Sequence, residues 1–157
     1  MRVGFGYDIH RLGKARRLFL CGVEIPYTRG LVGHSDADVA LHAVADAIIG
    51  ALGLGDIGEH FPNTDKTYKD IASGKLLKKV GTLLKRCGMK IQNIDITIIA
   101  EEPRIQPFKE RMRETIARIL DVTADRINIK ATTQEGVGSI GRKEAIASSA
   151  VVLLKKR

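Results

Sequence analysis

The sequence predicts an α+β protein with about four main β-strands plus a short hairpin, and helices packed on one face of the sheet. Segments that alternate apolar and polar residues recur between stretches with the apolar spacing of amphipathic helices. Glycines and prolines stand at the boundaries between these segments. The 157 residues contain no linker, repeat or low-complexity tract, so we expect one domain over residues 1–157.

Each predicted element has its own local signal. Glycines in the first strand permit close approach of another backbone, and alanines favour the helix that contains His42. Glycines also supply the ends of the first two helices. The predicted elements are a strand over 2–8, a hairpin of 17–20 and 23–25, a helix over 38–49, a polar loop over 56–65 with room for one helical turn, a helix over 71–87, a strand over 93–100, a helix over 108–120, and strands over 127–132 and 145–154.

The chain is basic, with a formal net charge of +8. Such a charge suits nucleic acid, a membrane surface or an anionic small substrate. Aromatic residues make up only 4% of the chain and tryptophan is absent, which argues against a base-stacking platform. The basic run over 75–86 is typical of a solvated helix face. We therefore expect a phosphorylated small molecule as the partner, and neither nucleic acid nor a membrane.

The expected location is the cytoplasm. No segment approaches the roughly 20 apolar residues of a membrane span, and the chain enters its first strand without an apolar leader. Cys21 and Cys87 have no metal-like spacing and are expected to be free thiols in a reducing compartment. A plastid-type organelle fits the same sequence if a targeting segment has been removed.

Asp8, His10 and His42 form a candidate metal site. Side chains two residues apart on a strand point to the same face, and His42 follows on the alanine-rich helix. One carboxylate and two imidazoles suit zinc and also accept other first-row metals. Three protein ligands leave a fourth tetrahedral position open, as in catalytic zinc sites. We expect a substrate oxygen in that position.

The same spacing also occurs in proteins that bind no metal there. An isolated Asp-x-His pair is typical of a solvated turn, and a histidine within an alanine-rich helix is often packed or hydrogen-bonded without a metal. Asp38 and Asp46 lie four residues on either side of His42, on the same stripe of the helix. Either of them is a candidate for orienting the His42 imidazole.

Ordered motifs extend along essentially the whole chain: Gly-Tyr-Asp-Ile-His at 6–10, His-Ser-Asp-Ala-Asp-Val-Ala-Leu-His at 34–42, Gly-Asp-Ile-Gly at 55–58, Phe-Pro-Asn-Thr-Asp at 61–65, and Lys-Ala-Thr-Thr-Gln-Glu at 130–135. In these motifs the chain resembles the 2-C-methyl-D-erythritol 2,4-cyclodiphosphate synthase family. The resemblance implies a homotrimer with active sites between neighbouring subunits, and helices around a core of sheets.

The implied reaction converts 4-diphosphocytidyl-2-C-methyl-D-erythritol 2-phosphate into 2-C-methyl-D-erythritol 2,4-cyclodiphosphate in the non-mevalonate isoprenoid pathway. The 2-phosphate oxygen attacks the β-phosphorus and CMP leaves. By this resemblance Asp8, His10 and His42 bind Zn²⁺, and Glu135 holds Mg²⁺ or Mn²⁺ against the diphosphate.

The resemblance also assigns roles around the substrate. His34 and Thr133 are implied to stabilise the transition state, and residues 100–106 to form the cytidine pocket, with Arg104 meeting phosphate. The residues implied to bind substrate are Asp8, His10, His34, Ser35, Asp56, Ile57, Gly58, Phe61, Pro62, Asn63, Thr64, Asp65, Ala100, Glu101, Glu102, Pro103, Arg104, Ile105, Gln106, Thr132, Thr133, Gln134, Glu135 and Arg142.

The chain departs from the family pattern near residue 140. Ser139 and Lys143 stand where many members have phenylalanine and glycine. The resemblance places this stretch along the trimer axis, where Arg142 and Glu144 match residues that hold isoprenoid diphosphates. Loss of the aromatic ring removes a large apolar contact and argues against that ligand here. The chain also begins at the synthase's first strand, so we expect no fused cytidylyltransferase.

Two other functions remain open from the sequence. A zinc hydrolase of phosphate esters would use the same open metal position. A basic RNA-binding module would use the cationic surface and leave the histidines structural.

Overall fold

The computed structural model describes residues 1–62, 64 and 71–157. Two single 3₁₀ turns, Gln106–Phe108 and Ala124–Arg126, lie directly before a helix and a strand. The regular elements are β1 (Arg2–Lys14), β2 (Leu18–Leu20), β3 (Val23–Ile25), β4 (Arg29–Leu31), α1 (Val39–Leu52), α2 (Ile57–His60), α3 (Ser73–Arg86), β5 (Met89–Ile99), α4 (Lys109–Leu120), β6 (Ile127–Thr132), α5 (Gly138–Gly141) and β7 (Ala145–Lys156).

The main sheet has five strands in the order β4-β1-β7-β5-β6, and β2 and β3 form the predicted hairpin. Only the β5–β6 pair is parallel within this described sheet. The prediction of about four main strands was wrong because it omitted β4, which pairs with the end of β1. Three residues are too few to show an alternating pattern. The first strand also continues beyond residue 8, and β5 begins before residue 93.

Helix α1 lies directly on β1, as the glycines of that strand predicted. Gly4 and Gly6 are buried beneath the helix, and a Cβ atom on Gly6 would lie only 2.0 Å from the Ala43 carbonyl oxygen. The close contact brings the middle of β1 and the start of α1 within side-chain reach of one another. The α+β class and the helices on one side of the sheet are confirmed.

The start of α1 is held by Asp38, which is completely buried. Its carboxylate accepts the Leu41 N–H as a helix N-cap at 3.1 Å. It also accepts the backbone N–H groups of Cys21 at 2.9 Å and Gly22 at 2.6 Å. Burial raises the pKa of this carboxyl group, and the N–H bond from Gly22 opposes that effect. The Asp38 carboxylate therefore joins the hairpin to the helix, and none of its recorded hydrogen bonds goes to the His42 imidazole.

The cysteines and the helix lengths can be read directly from the fold. Cys21 is buried and Cys87 is exposed, and both are free thiols as expected. Among the helices formed by residues 1–62 and 71–157, none combines the length and apolarity that a bilayer span requires.

Candidate metal centre and substrate cavity

Asp8, His10 and His42 converge on the face of the sheet that α1 covers. The Asp8 Oδ2 atom lies 3.1 Å from His10 Nε2 and 2.9 Å from His42 Nδ1. One potential ligand atom from each residue lies within 4.8 Å of the other two. The side chains are 25%, 25% and 16% exposed, so that the cluster is sheltered yet open to solvent on one side. The strand and helix spacing predicted this convergence correctly.

The outer nitrogen of His10 is held by the backbone. His10 Nδ1 lies 2.9 Å from the carbonyl oxygen of Val32. A carbonyl only accepts, so Nδ1 carries a hydrogen and donates it. In the neutral ring, Nε2 then has its lone pair toward the cluster, as a metal ligand requires.

Charge within the cluster shifts two of its pKa values. Burial raises the pKa of Asp8, but hydrogen bonds from His10 and His42 outweigh it and hold the pKa well below the usual value. The hydrogen bond with Asp8 raises the pKa of His10 against the opposing effect of burial. Asp8 is therefore a carboxylate at neutral pH, and it favours a cation between the two imidazoles.

The outer nitrogen of His42 contacts two hydroxyl groups. Its Nε2 atom lies 2.9 Å from Ser73 Oγ and 3.3 Å from Ser35 Oγ. The predicted orienting residues have other partners: Asp38 caps α1, and Asp46 accepts the Ile57 N–H at 3.0 Å. The prediction that either aspartate orients His42 was therefore wrong. Both lie on the His42 helix, whereas the groups that contact Nε2 come from elsewhere in the chain.

This donor set fits a divalent first-row cation. One carboxylate oxygen and two imidazole nitrogens face a common point, and the far nitrogen of each ring is engaged by protein. Such outer contacts are the usual support of metal-bound histidines. The residues therefore form a metal-binding triad.

A cavity of about 290 Å³ opens beside the triad. The cavity is lined by Asp8, His10 and His42, and also by residues of the loop after β4 and of the α2 region. Those further lining residues are the predicted His34, Ser35, Ile57, Gly58 and Phe61. Tyr7 of β1, Asp46 of α1 and Leu76 of α3 also line the cavity.

The α2 region is fastened to α1 beneath this cavity. Asp46 holds the Ile57 N–H, and Asp56 caps α2 by accepting the Glu59 N–H at 2.9 Å. Pro62 and Thr64 are exposed. Asn63 and Asp65, which the family resemblance also implies to bind substrate, lie outside the described residues.

The remaining predicted residues gather at the carboxyl ends of β5 and β6. These strands run parallel, and the Ala100 N–H donates to the Thr132 carbonyl at 3.0 Å. Glu101 Oε1 accepts the N–H of Gln134 at 2.8 Å. Thr133 Oγ1 donates to Glu135 Oε1 at 2.9 Å. Residues 100–106 and 132–135 therefore form a second group.

The two groups do not share a cavity within the described part of one chain. Neither residues 100–106 nor residues 132–135 appear among the described residues that line the triad cavity. Arg142 lies on the surface and pairs with Glu144, Nε to Oε1 at 2.9 Å. Ser139 and Glu144 line a different cavity of about 700 Å³.

Comparison with known proteins identifies the family. Residues 1–155 match the sequence model of the YgbB family. The chain belongs to this family. The match covers both groups of predicted residues, and so covers the whole of the candidate site.

Two curated relatives of this YgbB-family chain match it over essentially their whole length. The 2-C-methyl-D-erythritol 2,4-cyclodiphosphate synthase of Syntrophomonas wolfei is 54% identical over 156 residues, covering 99% of each chain. The synthase of the same name from Geotalea uraniireducens is 56% identical over 157 residues, covering 100% of each chain.

Solved structures share the fold. The bifunctional IspDF of Campylobacter jejuni superimposes with a TM-score of 0.96 at 46% identity, over 99% of this chain and 42% of that one. The IspF–CDP complex of Plasmodium falciparum has a TM-score of 0.88 at 34% identity, over 99% and 96% of the two chains.

Ser73 is the contact that sequence reasoning missed. A serine in the first turn of a helix is ordinarily interpreted as a capping residue. Its separation of 31 residues from His42 leaves no local pattern that joins the two. The burial of Ser73, at 1% exposure, becomes visible only in the folded chain.

Proposed function

We propose that this YgbB-family protein is a zinc-dependent, CMP-releasing phosphorus–oxygen lyase. It converts 4-diphosphocytidyl-2-C-methyl-D-erythritol 2-phosphate into 2-C-methyl-D-erythritol 2,4-cyclodiphosphate in the non-mevalonate pathway. Synthases of this name are 54% and 56% identical over essentially the whole chain. We place the reaction in the cytoplasm, in keeping with the bacterial sources of these relatives.

The convergence of Asp8, His10 and His42 beside the cavity is the observation that carries the proposal. A bare carboxylate would repel the phosphates of this substrate. A carboxylate joined to two metal-binding imidazoles instead creates a site for a cation, and so for a phosphate oxygen. The net charge of +8 favours approach of the same anionic molecule.

This phosphoryl transfer requires the protein mainly to position the reacting groups and to supply positive charge. Two phosphate groups repel one another, so that ring closure needs positive charge at the transferring phosphorus and a fixed angle of attack. A bound zinc ion supplies this charge as a Lewis acid. Asp8, His10 and His42 would hold it, and no serine or cysteine nucleophile is required.

His34 and Ser35 lie at the same cavity and are proposed to position the methylerythritol phosphate. Ile57, Gly58 and Phe61 would close the opposite side around the substrate carbons and hydroxyls. In the second group, Thr133 is proposed to donate to the transferring phosphate. Glu135 would hold a magnesium or manganese ion, and residues 100–106 would bind cytidine.

We further propose a homotrimer that brings the two groups together across a subunit boundary. No helix of the described residues covers one face of β1, where Val3, Phe5, Tyr7 and Ile9 are 68%, 63%, 51% and 41% exposed. Val151 lies opposite Phe5 on β7 and is 43% exposed. A contiguous apolar strip on a sheet is typical of an interface. Native mass measurement should give three chains, and Phe5→Lys should dissociate them, whereas Leu54→Lys, which lies off this strip, should not.

The reaction is tested with the cytidyl substrate, zinc and magnesium, followed by phosphorus NMR and chromatography of CMP. Two mutually coupled diphosphate signals that appear together with CMP support the proposal. Inorganic phosphate or a linear monoester would instead indicate the hydrolase. Protein that purifies without stoichiometric zinc and binds RNA with a steep salt dependence would favour the RNA-binding alternative.

A further inference from the structure

We propose that Ser73 and Asp36 form a positioning pair that fixes the tautomer and ring orientation of His42 for metal binding. The inference rests on the metal-binding part of the proposed function. It concerns residues that lie behind the imidazole and are not among the described residues that line the cavity. Ser73 opens α3, is 1% exposed, and places its Oγ atom 2.9 Å from His42 Nε2.

The direction of this hydrogen bond follows from the other side of the ring. His42 Nδ1 faces the cluster, 2.9 Å from Asp8 Oδ2. A neutral imidazole that offers the Nδ1 lone pair to a cation must carry its hydrogen on Nε2. That hydrogen needs an acceptor, and Ser73 Oγ is the nearest polar atom recorded for it. Ser73 must therefore accept from His42.

Asp36 commits Ser73 to this accepting role. Its Oδ1 atom accepts the Ser73 hydroxyl, and its Oδ2 atom accepts the Ser73 backbone N–H at 3.0 Å. Asp36 is acceptor-only when ionised, so the Ser73 hydrogen points to Asp36 and the oxygen lone pairs remain for His42. The bonds then run in one direction, from His42 Nε2–H to Ser73 Oγ and from Ser73 Oγ–H to Asp36.

The same pair also fixes the position of the supporting elements. Asp36 Oδ1 accepts the Asp38 N–H at 3.3 Å, just before α1 begins. The Asp36 N–H donates to the Ile71 carbonyl at 3.4 Å, just before α3 begins. Asp36 therefore connects the start of the His42 helix to the start of the Ser73 helix. Ser35 Oγ, at 3.3 Å from His42 Nε2, is a weaker second acceptor.

The test compares Ser73→Ala with Thr115→Val. Thr115 also has a buried hydroxyl, bonded to the Arg111 carbonyl at 2.8 Å and outside the metal cluster. Zinc affinity is measured by competition with a chromophoric chelator, without substrate. We expect Ser73→Ala to weaken zinc binding by about 10- to 100-fold, the usual effect of removing an outer partner of a metal-bound histidine. Thr115→Val should retain the parental affinity.

A second measurement needs no variant. Long-range proton–nitrogen NMR of the zinc-loaded parent should show the His42 hydrogen on Nε2 and the metal-type shift on Nδ1. If Ser73→Ala does not fold, Asp36→Asn is used, because it keeps the side-chain size while weakening the acceptor for Ser73. It should lower zinc affinity by about 10-fold, the lower end of the usual effect of changing an outer partner of a metal ligand.

Parental zinc affinity in folded Ser73→Ala, or a His42 hydrogen on Nδ1 in the loaded parent, overturns the inference. These results are independent of the proposed reaction. Zinc affinity that falls in Ser73→Ala while the parent makes no cyclic product would refute the function and leave the positioning pair standing. Normal cyclisation by the parent, with unchanged zinc affinity in Ser73→Ala, would support the function and refute the positioning pair.

Discussion

Gly6 of β1 lies directly beneath the carbonyl group of Ala43 in α1, with no room between them for a side chain. A Cβ atom at Gly6 would stand 2.0 Å from that oxygen. Ala43 is the neighbour of His42, and Gly6 lies two residues before Asp8. The contact that packs the helix on the sheet therefore also sets the distance between two metal ligands.

Gly6→Ala should destabilise the fold by about 2 kcal/mol or more, because the clash is with backbone atoms that cannot rotate away. It should also weaken zinc binding, since α1 must move outward and carry His42 with it. Thermal unfolding and zinc titration measure the two effects. Gly50→Ala is the control, because no atom of the described residues that could obstruct a Cβ at this position lies within 4 Å of it. That helix substitution should stabilise by about 0.5–1 kcal/mol and leave zinc binding unchanged.

His42→Ala should abolish cyclisation and lower zinc affinity by more than about 100-fold, because a ligand is lost as well as its outer partner. The protein should remain folded, since the side chain is partly exposed. His60→Ala removes a histidine outside the triad, whose ring contacts the Leu54 carbonyl at 2.8 Å and packs against Phe61. Metal analysis of the two purified variants should find zinc in His60→Ala and little in His42→Ala. Retained turnover in His42→Ala would contradict the ligand assignment.

Zinc binding should weaken as the pH falls through the raised pKa of His10, so the loss should begin above about 6.5, the ordinary pKa of histidine. Asp8 raises the pKa of His10, so the metal-free protein holds a proton on His10 to a higher pH than a free histidine would. A cation must displace this proton, and the apparent affinity should fall by up to about tenfold for each pH unit. Asp8 does not compete in this range because its pKa is lowered. Titrations that show the same affinity at about pH 5 and about pH 8 would refute the proton competition.

Glu135→Gln should mainly weaken the response of turnover to magnesium and leave zinc content unchanged. The carboxylate is exposed and bonded only to nearby groups of its own turn in the recorded contacts, so that it is available for a second cation. Glu110→Gln changes an exposed glutamate that pairs with Arg113 on α4 and serves as the control. Turnover is measured against magnesium concentration. If the Glu135→Gln titration overlays that of the parent, the second-metal assignment is wrong.

The metal triad illustrates what local patterns can predict. Asp8 and His10 share a face because side chains alternate between the two faces of any strand. The glycines before them predict close approach of another backbone, which is that of α1. β4 shows the limit, since its three residues have no pattern of their own and are ordered by pairing with β1. The exposed apolar face of β1 shows a second limit of local patterns. Alternation predicts that the two faces of a strand differ, but it does not predict which face the described helices leave uncovered.

The amino-acid sequence by itself determined the identity of the three ligands, the α+β class and the family, because periodicity and ordered motifs are carried by neighbours along the chain. Only the tertiary structure decided which groups hydrogen-bond the outer nitrogens of the two histidines. Asp38 and Asp46 share a helical stripe with His42, yet both carboxylates accept backbone N–H groups, from Cys21 and Ile57 respectively. The acceptor for His42 comes instead from Ser73, 31 residues away, because the packing of α3 against α1 sets that distance.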